Sequence, residues 1–329
     1  MVTVLSACGS GSPGPHESTS AGTSSGAAFS PPGVEDGYTR IVAPTVHDIQ
    51  PGADVTFCQY VMAPLDHDTD VLDVRGYQSR FGHHAVAFST TATTDVGSSI
   101  QCMGEGMDTG VSQSSGGPSL ASMGTFLGGT GGEAGGAASL PDGVAFRLNA
   151  GSGIMFNVHF INTGQTVVDG DAVLDFKFAD VDPNRKIAAM FLNLNFGFNL
   201  APETRTDSSV ECTAKSDVSL IMMSNHMHEY GISATTELTR ASGGVETLHD
   251  DPDWNFDMQF NPVYSKWSPD SPLVVHAGDV IRTRCSWMND TANSVTFPRE
   301  MCIGVGFALA DGAKPVVPVC LNGSWFAPQ

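Results

Sequence analysis

Two pairs of histidines carry most of the chemistry this chain can do. His226 and His228 bracket a methionine in Ser224-Asn225-His226-Met227-His228-Glu229-Tyr230, directly after the apolar run Val218-Ser219-Leu220-Ile221-Met222-Met223. That run reads as a buried strand. Alternate residues of a strand share a face, so the two imidazoles point the same way, about one chelate bite apart, and Met227 points the other way. The second pair, His83-His84, lies in Phe81-Gly82-His83-His84-Ala85-Val86-Ala87-Phe88, and a lone His159 lies in Ile154-Met155-Phe156-Asn157-Val158-His159-Phe160-Ile161-Asn162. Neighbours in a regular strand face opposite ways, so His83 and His84 reach one metal only at a bulge or a strand end. Any one of these residues, taken alone, reads first as a core or edge histidine satisfied by hydrogen bonds, and only their combination points to a metal. His47, His67, His249 and His276 lack a comparable setting and read as surface or structural residues, and His16 has no role.

Imidazole suits zinc, copper, iron and nickel, and a thioether favours Cu(I). Met222, Met223 and Met227 are best read as core filler. Met301 differs, because it precedes Cys302 in Pro298-Arg299-Glu300-Met301-Cys302, where a disulfide would pin its backbone. Other chemistries lack their motifs: there is no H-E-x-x-H, no G-x-S-x-G, no P-loop and no dinucleotide fingerprint between a strand and a helix.

The elements that must position these groups are short strands. Tyr38–Val42, Asp54–Val61, Val71–Tyr77, Phe81–Phe88, Leu140–Leu148, Ile154–Asn162 and Val173–Phe178 precede a segment of linker composition, Asp180-Val181-Asp182-Pro183-Asn184-Arg185. Beyond it come Ala188–Leu192, Val218–Met223, Ile232–Leu238, Val280–Ser286 and Ile303–Leu309. β-Branched and aromatic residues alternate within them, turn residues separate them, and no window of helix length keeps a 3.6-residue apolar period. The fold expected is all-β, two tandem antiparallel β-sandwiches over residues 38–182 and 183–329. The Gly/Ser-rich stretch 110–138 offers little to pack and reads as a long surface loop.

With 329 residues, the chain exceeds one ordinary domain. Its 15 basic and 35 acidic residues give a net charge of −20, with the acids scattered, which argues against nucleic-acid binding. Of seven cysteines, Cys58, Cys102, Cys212, Cys285, Cys302 and Cys320 are dispersed with no C-x-x-C, a pattern that suits disulfides in an oxidising compartment. Leu5-Ser6-Ala7-Cys8 resembles a bacterial lipobox, in which cleavage leaves a lipid-modified Cys8; residues 1–8 would be the signal remnant and 9–37 a Ser/Gly/Pro tether. Only Met1 to Val4 precede the box, short of a full signal peptide. The localisation expected is export, as a cell-envelope lipoprotein or a secreted protein.

The order His-His, Asn-Val-His, linker, His-x-His and Glu-Met-Cys resembles the copper type II, ascorbate-dependent monooxygenases, the family of peptidylglycine α-hydroxylating monooxygenase and dopamine β-monooxygenase. The likeness runs from about Ile41 to Cys320. It implies two jelly-roll-like domains with one copper each. His83, His84 and His159 would hold an electron-transfer copper, and His226, His228 and Met301 the copper where O2 is activated. It also implies the disulfides Cys58–Cys102, Cys212–Cys320 and Cys285–Cys302. The implied activity is hydroxylation of an aliphatic or benzylic C–H of a small substrate, with ascorbate or another one-electron reductant as co-substrate. The peptide-amidating members carry an Arg two residues before the His-x-His pair and an Asn after Met-Cys; here Ser224 and Ile303 stand there, which turns the expectation from a peptide carboxylate toward a less polar substrate. A non-catalytic copper-binding surface protein of the same fold is the alternative, and an adhesion module with incidental histidines a third reading.

Overall fold

The computed structural model describes residues 29–92, 94–104, 124–136, 140–259, 261–297, 299–310 and 317–326. Cys8, most of the N-terminal tether and residues 110–123 and 137–138 of the Gly/Ser-rich stretch lie outside them. The chain is all-β. Its sheets are antiparallel but for two short parallel contacts made by Lys186–Asn195, and the described residues hold a single 3-10 turn, Phe256–Gln259.

In the first half, one five-stranded sheet runs Ser99–Gly104, Asp54–Met62, Gly153–Ile161, Gly82–Thr90, Phe126–Gly131. It packs on a second layer formed by Thr39–Val42, Ala172–Ala179, Thr69–Gln78 and Val144–Leu148. Residues such as Val71, Leu127, Phe156, Leu174 and Phe176 interlock between the layers and are essentially inaccessible to solvent. The second half repeats the plan. Lys186–Asn195, Cys302–Ala310, Val218–His226 and Ser265–Lys266 form one layer, and Thr204–Thr213, Val280–Asn289, Gly231–Thr239 and Val245–Asp251 the other.

The two halves meet through backbone and core. Lys186 and Ile187 pair in parallel with Val144 and Ala145, so one twelve-stranded sheet runs through both. Ile221, Met222 and Phe307 of the second half belong to the same apolar cluster as Phe126 and Phe146 of the first, and the Phe146 and Phe307 rings are 5.5 Å apart. At the linker, the fully buried Asp70 accepts from Arg147 at 2.5 Å and from Arg185. A buried carboxylate held by two guanidiniums has its charge compensated where water is excluded.

One expectation needs correction. The stretch 110–138 is not all surface loop: Phe126–Gly131 is a strand paired with Gly82–Thr90, and Ala134–Gly136 pairs with Thr69–Gln78. Its glycines permit this pairing. A Cβ on Gly128, whose φ is +135°, would come within 2.5 Å of Val74, and one on Gly129 within 2.5 Å of the Ala85 carbonyl. The run is glycine-rich because backbone approaches backbone there, with Phe126 and Leu127 buried beneath. The polar strand Thr204–Thr213, absent from the sequence reading, alternates exposed and covered residues at a sheet edge.

All six dispersed cysteines are paired, as Cys58–Cys102, Cys212–Cys320 and Cys285–Cys302, the three pairs the resemblance implies. Three disulfides suit an oxidising compartment. No helix among the described residues is long and apolar enough to cross a membrane.

Candidate metal centre

The site begins with an irregularity. His84 stands opposite His159 across the Gly82–Thr90 and Gly153–Ile161 strands, but the next pair is Gly82 with Phe160, so His83 is an extra residue in a bulge. A bulge is what lets adjacent histidines turn toward one point. The His83 and His84 Nδ1 atoms are 3.3 Å apart, and ligand atoms of His83, His84 and His159 all lie within 4.8 Å of one another. Nitrogens bound to one ion at about 2.0–2.1 Å lie roughly 3.3–3.6 Å apart, so the rings need only close in slightly for the set to hold a metal.

Each ring is held from behind. The His84 Nε2–H donates to Asn157 Oδ1 at 2.7 Å, while Asn157 Nδ2 approaches the sulfurs of Cys58 and Cys102 at 3.7 and 3.5 Å. Asp54 accepts from His159 Nε2–H at 2.5 Å. Burial acts to raise the Asp54 pKa, but this hydrogen bond and the nearby charges outweigh it and hold the carboxyl below its usual range. Both partners leave Nδ1 of their histidine with its lone pair. His83 reaches across the halves: its Nε2 contacts the side-chain amide of Gln259, a buried residue at the end of the 3-10 turn.

His226 is the last residue of the Val218–His226 strand, opposite Ile303, and its ring centroid is 5.1 Å from that of His228, at right angles. The His228 Nδ1–H donates to the Arg299 carbonyl at 3.0 Å, leaving Nε2 for a ligand role. Met227, between them, points away and is fully buried in a cluster with Trp254 and Trp287. Glu300 ties the set together. One of its oxygens accepts from the His228 and Met301 backbone N–H groups at 2.5 and 2.8 Å, the other from Tyr230 N–H at 3.0 Å. Cys302, in disulfide with Cys285, fixes the chain immediately after Met301.

The two sets share one cavity. His84, His159, His226, His228 and Met301 all line a space of about 330 Å³ whose other walls include Phe88, Phe126, Met190, Leu192, Ile303 and Val305. His83 lies 4.4 Å from His159 and 5.6 Å from His228 by ring centroids. Burial and the neighbouring imidazoles depress His84 to about 3, and His83 and His226 well below the usual imidazole range. Burial pushes His228 to about 4, partly offset by its bond to the Arg299 carbonyl. Neutral, lone-pair-bearing imidazoles are therefore available at neutral pH.

Among the described residues, the remaining histidines have other partners. His47, His67 and His276 are exposed beside Asp169, Asp66 and Asp217, and His249 is buried between Ser265 and Asp251. Ser224, two residues before His226, donates its hydroxyl to the Val263 carbonyl at 2.6 Å and does not line the cavity, whereas Ile303 does. Asn157, two residues before His159, could have been found from same-face spacing, and Glu300 from its place beside Met301. Gln259 and Tyr264 carry no sequence signal.

No protein-family model matches the chain, and no curated protein matches it. Among solved structures, that of the infectious bursal disease virus Gt strain is 9% identical, covering 86% of this chain and 73% of that one, with a TM-score of 0.15. The VP2 subviral particle of the same virus is 11% identical, covering 87% and 75%, with a TM-score of 0.17. Similarity at this level carries no conclusion about this chain's fold or function.

Proposed function

We propose that the protein is an exported dicopper monooxygenase that hydroxylates an aliphatic or benzylic C–H bond of a small substrate, using O2 and a one-electron reductant such as ascorbate. The supporting observation is the apolar cavity of about 330 Å³ walled by imidazoles from both halves. A protein that only bound or stored copper would need the ligands but not the space beside them. Copper, when bound, supplies the one-electron couple that O2 chemistry requires.

The chain's own residues divide the remaining work. His83, His84 and His159 would hold the electron-donating ion, and His226, His228 and Met301 the ion at the oxygen site, where a thioether favours the Cu(I) state. Asp54, Asn157 and the Arg299 carbonyl fix the ring tautomers. Phe88, Phe126, Leu192 and Ile303 would exclude water and orient the substrate. Export agrees with the three disulfides, and lipidation at Cys8 would tether the protein to the cell envelope.

Metal analysis and oxygen uptake test this directly. Two coppers per chain are expected, with one lost in His84→Ala and one in His226→Ala. Ascorbate-dependent O2 uptake should require an added substrate and yield a hydroxylated product. Full copper loading with no turnover across aliphatic and phenylalkyl substrates would leave a non-catalytic copper-binding protein. Hydroxylation that survives His84→Ala would contradict the assigned division.

A further inference from the structure

We propose that the cavity admits a neutral, largely apolar substrate bearing one hydrogen-bonding group, and that the Tyr264 hydroxyl selects it. The inference rests on the monooxygenase reading for its biological meaning, but its test does not need turnover. The charged groups on the wall are already engaged. Asp54 is bonded to His159, and Arg299 is paired with Glu229. An ammonium or carboxylate group entering the cavity would have to displace these partners and would lose its hydration.

The polar side chains on the wall are mostly engaged as well. Asn225 bonds the Ala234 carbonyl, Asp251 and Thr236, Thr130 bonds the Gly131 carbonyl, and Gln259 contacts His83. Two hydroxyls have no hydrogen-bond partner among the described residues, those of Thr56 and Tyr264. Thr56 stands in register beside His159, at the imidazole end. Tyr264 is different. Its ring packs on Phe307, 6.3 Å away, and its neighbour Ser265 pairs with Met223. That register sets Tyr264 level with Ser224, two residues before His226 and thus roughly 7 Å along the strand. The Ser224–Val263 bond holds it there. A substrate anchored at Tyr264 would therefore extend its apolar body toward the histidines. Burial pushes the Tyr264 hydroxyl up to about 12, so it keeps its proton at any working pH.

The test is binding to metal-free protein, followed by calorimetry, of four matched probes: 4-phenylbutan-2-one, butylbenzene, 4-phenylbutyrate and 4-phenylbutylamine. The ketone should bind at least ~10-fold more tightly than the hydrocarbon and than either charged probe. Tyr264→Phe, which removes one oxygen from a packed ring, should bring the ketone to the level of butylbenzene and leave butylbenzene unchanged. Thr56→Val should keep the ketone preference. The proposal is overturned if Tyr264→Phe weakens both probes equally, if the preference follows Thr56, if a charged probe binds tightest, or if the ketone does not bind at its solubility limit. Absence of copper-dependent turnover alongside an intact ketone preference would count against the monooxygenase reading alone.

Discussion

The His83 and His228 rings stand 5.6 Å apart and nearly perpendicular, though one sits in a bulge of the first half and the other lies two residues beyond the end of the Val218–His226 strand of the second. The two imidazole sets thus face each other across a cavity with no intervening layer of side chains. Anything that charges or moves one set is felt by the other, and the fold must hold both halves in register for the site to exist.

The first prediction concerns acid. In the unfolded chain the histidines titrate near 6.5. In the folded, metal-free protein burial lowers His84 to about 3 and His228 to about 4, with His83 and His226 lowered too. The unfolded state therefore binds more protons below 6.5, and stability, fully present above that pH, falls as pH drops toward about 4. Glu300 acts in the opposite sense. Burial raises it to about 7, so its contribution is full below about 4.5 and is lost as pH rises through 7. Four histidines outweigh one carboxylate at about 1.4 kcal/mol per pH unit each. Urea unfolding of the metal-free protein should show a loss on the order of 4 kcal/mol from pH 7 to pH 5. A flat profile across that interval would contradict neutral, buried imidazoles.

The second concerns Gln259. As oriented, its Oε1 is buried without a partner while Nε2 meets His83 Nε2. Turned about its last torsion, the amide would accept from His83 Nε2–H and free Nδ1 for a metal beside His84 Nδ1. Gln259→Leu removes that acceptor, though Gln259 belongs to the other half of the chain. Copper affinity of the His83 set should drop roughly 10–100-fold, with the His226 set little changed. Equal affinity in a chelator-competition titration would mean that His83 is oriented by something else.

Much of this was legible in the sequence, for reasons specific to the residues. Alternation in Gly82–Thr90 and Gly153–Ile161 announces strands, and the His-Met-His spacing fixes which side chains share a face. Adjacent His83 and His84 require an irregularity, and the bulge supplies it. What stayed hidden depends on distant pairing. Gln259 and Tyr264 acquire meaning only because the Ser265–Lys266 strand docks beside Val218–His226. The glycines around Gly128 look like loop composition until Val74 and the Ala85 carbonyl are placed against them.

That close approach gives a third prediction. Gly128→Ala adds a Cβ 2.5 Å from Val74 at φ +135°, a conformation that side chains resist, within a strand that buries Phe126 and Leu127. Strain and overpacking together should cost roughly 2–4 kcal/mol, read as a lower thermal midpoint. Because Phe126 also walls the cavity, ligand binding should weaken in the same variant. A substitution at Gly33, where a Cβ would meet nothing within 4 Å, is the matched control and should be silent. Equal midpoints for the two variants would place the Phe126–Gly131 strand wrongly.

The last prediction concerns Glu300, whose one carboxylate binds three backbone N–H groups, two of them on candidate ligands. Glu300→Gln keeps the shape but supplies a single acceptor oxygen. It can serve His228 and Met301 or Tyr230, and its NH2 must face whichever group remains. The mismatch should cost about 1–3 kcal/mol of stability at neutral pH. It should also loosen His228 and Met301 together, weakening Cu(I) at their set by roughly 10–100-fold while the His83 set holds its ion. Because the variant cannot titrate, its stability should also fall more steeply than wild type between pH 7 and pH 5, where wild-type Glu300 gains from protonation. A two-site competition titration and urea curves at the two pH values read these effects separately. Equal weakening of both sets would identify Glu300 as a prop of the whole fold and not a positioning residue for the His228 and Met301 pair.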